Sequence, residues 1–250
     1  MEIAPNWSLL VAAPFIGSFL GVVIRRLPQG RGFAGGRSLC EHCGTALGPA
    51  DLVPVLSWLR LHGRCRHCGT SLGGFYPAVE LAAAAIAVLA LAIDAAPRVW
   101  LDCLFGWWLL TLAWIDWRCW LLPDALTLPL SVAGLAEAAV FAPADFLDRA
   151  AAAALGYAVL SIVALVYRRW RGLDGLGMGD AKLLAAAGAW VGVAALPQVV
   201  LLAALSALIV VLGLRLAGVA QLHAHTAVPF GPFLALAAWA VWLGGPLPLS

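Results

Sequence analysis

Charged side chains are scarce in this sequence. Lys and Arg number 15 and Asp and Glu 13 among 250 residues. Together they make up 11% of the chain, where a soluble domain carries about 25%. That shortage excludes a soluble enzyme, a disordered chain, and a nucleic-acid binder that works through a broad basic surface. Positive charge is also missing ahead of the first apolar run. Residues 1–7 hold Glu2 and no base, and Arg25 and Arg26 follow the run instead. A cleaved signal peptide needs the opposite order, so the segment reads as a membrane anchor with its N-terminus outside the cytoplasm. Nucleotide motifs fail as well. A dinucleotide fingerprint started at Gly175 would need glycine where Asp180 stands, and no Gly-Lys-Ser/Thr follows the glycines. No serine has the surroundings of a nucleophile elbow.

Apolar residues fill the space that charge vacates. They form 63% of the chain, and mean hydropathy is +0.95. The expectation is an all-α polytopic membrane protein. Apolar runs at 8–24, 78–93, 99–115, 125–142, 150–167, 181–196, 199–214 and 227–243, several with a polar residue in them, predict about eight transmembrane helices. The run 181–196 is rich in Ala and Gly. Its Gly188 and Gly192 have the spacing of close helix packing, although small residues are common throughout this chain. With the N-terminus outside, the loops gather Lys and Arg on the cytoplasmic face; of the 15 basic residues only Arg98 and Arg149 fall on the other.

One segment breaks the apolar pattern. Residues 25–77 are polar and hold four of the 6 cysteines. A stretch of that size is too small for a substantial core, and a metal supplies what the core cannot. The sequence Cys40-Glu41-His42-Cys43 recurs in form as Cys65-Arg66-His67-Cys68, each followed by glycine (Gly44, Gly69). Paired C-x-x-C hooks present four thiolates in the tetrahedral array of a structural Zn²⁺ site. Two disulfides or free thiols are the alternatives, and a reducing cytoplasm disfavours the disulfides. The predicted organisation is an anchor over 1–24, a cytoplasmic zinc module over 25–77 and a membrane domain over 78–250.

The acids sort by topology. Asp116 closes the third span, Asp124 opens the fourth, and Asp180 opens the sixth after Gly177 and Gly179. All three reach the cytoplasmic face, as does Glu80 at the start of the second span. On spacing alone two readings stand. Asp116 is a solvated acid at the membrane edge, and Asp124 and Asp180 are helix N-caps. Alternatively, two of these aspartates form a dyad that shares a proton, one activating water and the other polarising a scissile carbonyl. A proton or cation path through a transporter is a further alternative.

The motifs in order resemble one family, the type IV prepilin peptidases, GxGD-type aspartic proteases of bacterial inner membranes. The resemblance is carried by Gly17-Ser18-Phe19-Leu20 with Arg26-Leu27-Pro28, the two cysteine hooks, and Tyr76-Pro77-Ala78-Val79-Glu80. It continues through Ile115-Asp116, Leu121-Leu122-Pro123-Asp124, Gly177-Met178-Gly179-Asp180-Ala181-Lys182 and Pro229-Phe230-Gly231-Pro232. It implies removal of the short basic leader of type IV prepilins or type II secretion pseudopilins, after a Gly on the cytoplasmic side. It implies Asp116 and Asp180 as the catalytic pair, with Glu80, Asp124, Gly177, Gly179 and Lys182 in supporting or substrate-binding positions. Many members also methylate the new N-terminus with S-adenosylmethionine. Family members often carry Asn where this chain has Gly21, and a longer stretch between Pro28 and Cys40. A peptidase without methyl transfer is therefore the rival expectation. The implied partners are prepilin or pseudopilin substrates and the lipid bilayer.

Overall fold

Long apolar runs without competing hydrogen-bond partners fold as helices, because in lipid every backbone group must be satisfied within its own segment. The computed structural model describes residues 7–32, 38–94, 97–172, 177–218 and 228–245. Its α-helices are α1 (Trp7–Arg26), α2 (Leu56–Arg60), α3 (Phe75–Ile93), α4 (Arg98–Cys119), α5 (Asp124–Phe141), α6 (Phe146–Arg171), α7 (Met178–Val191), α8 (Leu196–Leu216) and α9 (Gly231–Gly244). Among the described residues no strand forms; the extended pairings are two isolated bridges, Leu39 with Ala46 and Arg64 with Ser71. The chain is all-α, as expected, and each of the eight predicted spans has a helix.

Among the described residues six helices are long and apolar enough to cross a membrane: α1, α3, α4, α5, α6 and α8. The other two, α7 and α9, have 14 residues each. At about 1.5 Å per residue they reach about 21 Å, short of the roughly 30 Å hydrocarbon core. Both are enclosed over most of their length, with Leu183, Leu184, Ala187 and Trp190 of α7 and Leu234, Ala238 and Val241 of α9 buried. Neighbouring helices shield them, so neither needs the length of a free-standing span. The apolar run at 181–196 hides a break. Gly192, at φ +84°, ends α7, and Pro197 sits in the first turn of α8, a placement that suits proline.

The chain divides into two compact units, residues 1–107 and 108–250, and the division falls within α4. In the first unit α1 packs along α3. A Cβ on Gly17 would lie 2.7 Å from Glu80 Cα, and one on Gly21 would lie 2.8 Å from the Tyr76 ring. Trp107 Nε1 donates to Ala83 O at 2.9 Å. Arg25, at the end of α1, pairs with Glu41 of the first hook. Its guanidinium also lies 4.7 Å and 4.9 Å from the Phe75 and Tyr76 ring centres, within cation–π range.

In the second unit α7 packs against α5, α6 and α9. Glycines make the close approach possible. A Cβ on Gly188 would meet Ala152 O of α6 at 2.7 Å, and one on Gly156 would meet Leu184 O at 2.9 Å. A Cβ on Gly134 of α5 would meet the Trp190 ring at 2.6 Å. Trp190 Nε1 donates to Leu130 O at 2.9 Å. Gly188 thus packs as its sequence context suggested, while Gly192 serves the helix end instead. Glu137 of α5, near the far end of the helices from Asp124, is held by an ion pair with Arg149 of α6.

Candidate active site

Helix ends bring the polar residues of the second unit together. Asp116 lies in the last turn of α4, Asp124 begins α5, and Asp180 lies in the first turn of α7. The short 120–123 linker ties the first two to the same end. Asp116, Asp124, Gly177, Gly179, Asp180 and Lys182 all line one cavity of about 550 Å³. Asp116 and Asp180 are buried, at 6% and 8% exposure, and both line this cavity.

Each carboxyl has its own support. Gly231, the first residue of α9, donates its backbone N–H to Asp116 Oδ2 at 3.1 Å. A Cβ on Gly231 would stand only 2.5 Å from that oxygen, so the backbone reaches the carboxylate because the side chain is absent. Asp180 N donates to Gly177 O at 3.1 Å, which fixes the turn that opens α7. A Cβ on Gly179 would press on Leu122 Cβ at 3.0 Å. Gly179 therefore lets the turn before Asp180 lie against the 120–123 linker, while Gly177 has ordinary room. Gly175 and Leu176, earlier in the same glycine-rich stretch, lie outside the described residues.

Asp124 and Lys182 form an ion pair at the cavity, Nζ to Oδ1 at 2.6 Å. Asp124 is half-exposed and Lys182 somewhat less so. This pair joins α5 to α7 beside the two buried acids. Glu80 belongs to the other unit and has a different task. It is buried at 5% exposure, and its Oε2 accepts the N–H of Val55 at 2.7 Å. Of the residues singled out in the sequence, the cavity gathers six; Glu80 anchors a loop of the cysteine module.

The four hook cysteines also converge. The ligand atoms of Cys40, Cys43, Cys65 and Cys68 all lie within 4.8 Å of one another, and Cys40 Sγ is 3.9 Å from Cys68 Sγ. A tetrahedral metal with bonds of about 2.3 Å to sulfur sets its ligands about 3.8 Å apart, so the cluster fits such an ion. The hooks share one backbone design. Cys40 N donates to Thr45 O and Cys65 N to Thr70 O, both at 2.9 Å. Gly44 N and Gly69 N return to Cys40 O and Cys65 O at 2.9 Å, with both glycines at φ +69°. The side chain and then the backbone of Thr45 hold the Cys43 thiol down to about 6. Thr70 acts on Cys68 in the same direction, again side chain first. A lowered thiol presents the thiolate that metals bind. These threonines escaped the sequence reading, yet the signal was there: each hook reads Cys-x-His-Cys-Gly-Thr. Arg66 ties the second hook to Asp51 at 2.7 Å.

The chain also matches known families. Residues 11–93 match the bacterial peptidase A24 N-terminal domain, and residues 103–212 match the type IV leader peptidase family. The chain is 39% identical to the prepilin leader peptidase/N-methyltransferase of Burkholderia pseudomallei (strain 1026b), over 90% of its own length and 81% of that protein. It belongs to the type IV leader peptidase family. The prepilin leader peptidase/N-methyltransferase of Aeromonas hydrophila is 38% identical, over 92% of this chain and 87% of that protein. The protein of that name from Pseudomonas aeruginosa is 35% identical over the same shares. No solved structure matches the chain. This member of the leader peptidase family is therefore a peptidase, and its apolar helices make it a multi-pass membrane protein.

Proposed function

We propose that this protein removes the short basic leader of type IV prepilins or type II secretion pseudopilins, cutting after a Gly at the cytoplasmic face of the bacterial inner membrane. The observation that carries this reading is the cavity in which two buried carboxyls, Asp116 and Asp180, meet at the ends of α4 and α7. Two carboxyls in one site share a proton more readily than both ionise. The ionised member takes a proton from water, and the protonated member donates to the carbonyl oxygen of the scissile peptide. The Gly231 N–H steadies Asp116 while the charge redistributes. The half-exposed carboxylate of Asp124, paired with Lys182 in the free protein, could take a Lys or Arg of the leader in exchange for that partner. The excess of Lys and Arg in the loops supports a periplasmic N-terminus and a cytoplasmic active site.

The four cysteines would hold a structural Zn²⁺, which would take the place of a hydrophobic core in the 25–77 module. Purified protein should contain about one zinc per chain, and Cys40→Ser with Cys65→Ser should remove it. Metal analysis checks this; a wild-type protein with no metal would end the zinc assignment.

Methylation of the new N-terminus with S-adenosylmethionine is the second half of the reading, supported by the names of the relatives. A peptidase without methyl transfer is the competing reading, and Gly21 favours it. A Cβ at position 21 would meet the Tyr76 ring at 2.8 Å, so the asparagine common in the family would require that ring to move. The deciding experiment is incubation of the purified protein with a prepilin, with and without S-adenosylmethionine. The expected product is the prepilin shortened by its leader, and heavier by one methyl group when the cofactor is present. An uncut prepilin would refute the peptidase reading, and a cut but unmethylated product would select the competing one.

A further inference from the structure

The short helix α2 exposes what a water-facing helix would hide. Leu56 is 65% exposed and Leu59 55% exposed, and residues three apart on a helix share a face. Arg60, in the last turn of α2, and Arg64 just beyond it are also exposed. Two exposed leucines beside two arginines match the composition of an interfacial membrane element.

The depth of this element is set by Glu80. The carboxylate is buried and accepts the N–H of Val55, the residue immediately before α2. Glu80 lies five residues after Phe75, the start of α3, or about 7.5 Å along the helix axis. The whole of α3 has 19 residues, or about 28 Å, close to the thickness of the hydrocarbon core. The apolar run of α3 begins just before Glu80, and Leu81 beside it is 56% exposed, as a lipid-facing side chain would be. The Val55 N–H is therefore held about 7.5 Å in from the start of α3, within the roughly 5–10 Å depth that an interfacial helix reaches. Val55 adopts φ +58°, a rare conformation for a β-branched residue. The bond to Glu80 thus holds the chain in a bend it would not choose by itself.

We propose that α2 lies in the interfacial layer of the bilayer. Leu56 and Leu59 enter the acyl region, and Arg60 and Arg64 contact the phosphates of anionic lipids. Apolar burial and attraction to a negative surface reinforce one another at such a site. The cysteine module is then fastened to the membrane at α2, as well as through the two helices that flank it in sequence.

The test is photo-crosslinking of the full-length protein in nanodiscs containing equal parts phosphatidylglycerol and phosphatidylcholine. The photoreactive residue p-benzoylphenylalanine is placed at position 56 or 59, and at position 81 as a reference for lipid capture. Mass spectrometry should find lipid adducts at 56 and 59 as it does at 81. Phosphatidylglycerol adducts should exceed phosphatidylcholine adducts about threefold or more, and Arg60→Gln with Arg64→Gln should bring the ratio to about one. Adducts at 81 but none at 56 and 59 would overturn the proposal. So would crosslinks from 56 and 59 to a prepilin or to a second copy of the chain, or equal capture of the two lipids by the protein with both arginines.

Discussion

Replacing Asp180 by Asn should stop leader removal while leaving the protein inserted in the membrane. Asparagine keeps the volume of the side chain and its place under the first turn of α7. It can neither take a proton from water nor share one with Asp116. Loss of a single acid or base in such a pair costs about 10²- to 10⁴-fold in rate, and Asp116→Asn should cost as much. The double variant should be hardly slower than either single one, because groups that act as a unit do not lose rate additively. Cleavage of a co-expressed prepilin, read as a mobility shift of the product, measures all three. Normal processing by either single variant would remove that residue from the catalytic pair.

Gly231→Ala should be nearly as damaging, although it alters no titratable group. The added methyl would stand 2.5 Å from Asp116 Oδ2, well inside van der Waals contact. Either the carboxyl rotates away or the start of α9 moves back. In both cases the bond from the Gly231 N–H at 3.1 Å is lost. A displacement of about 1 Å at a reacting group can cost about 10²-fold, and we expect a fall of that size in kcat. Membrane insertion should match wild type. Gly177→Ala is the natural comparison. A Cβ there meets Asp180 Oδ2 only at 3.7 Å, and the effect should be much smaller. Equal losses from the two substitutions would show that glycine at these positions serves backbone flexibility rather than access to the carboxyls.

The helices were legible because hydropathy and helix formation report the same thing in a membrane chain. Their ends were less so. The run at 181–196 crosses the turn between α7 and α8 because Val193, Ala194 and Ala195 are as apolar as the helices they join. Only Gly192 and Pro197 mark the break. Hydropathy also missed how short α7 and α9 are, since enclosed helices and spanning helices have the same composition. At the site, convergence of Asp116, Asp124 and Asp180 followed from topology alone, as each sits at a helix end on one face. The partners of these acids did not follow. Gly231 comes 115 residues after Asp116 and Lys182 58 residues after Asp124, and no local pattern links such positions. Glu80 shows the opposite limit. The sequence offers it as a supporting or substrate-binding acid, and its carboxylate accepts the Val55 N–H, a partner with no sequence signature.

The glycines around α7 bear on how the enzyme would work. Gly134, Gly156 and Gly188 bring α5 and α6 so close to α7 that even a methyl group would not fit between them. A helix wedged in this way cannot slide or turn by a residue without breaking contacts along its whole length. Asp180 is therefore preorganised: the cost of placing its carboxyl is met when the protein folds, not at each turnover. Adjustment to admit a peptide is then expected away from α7, in the substrate or at the exposed Trp120 and Leu121 of the linker between α4 and α5.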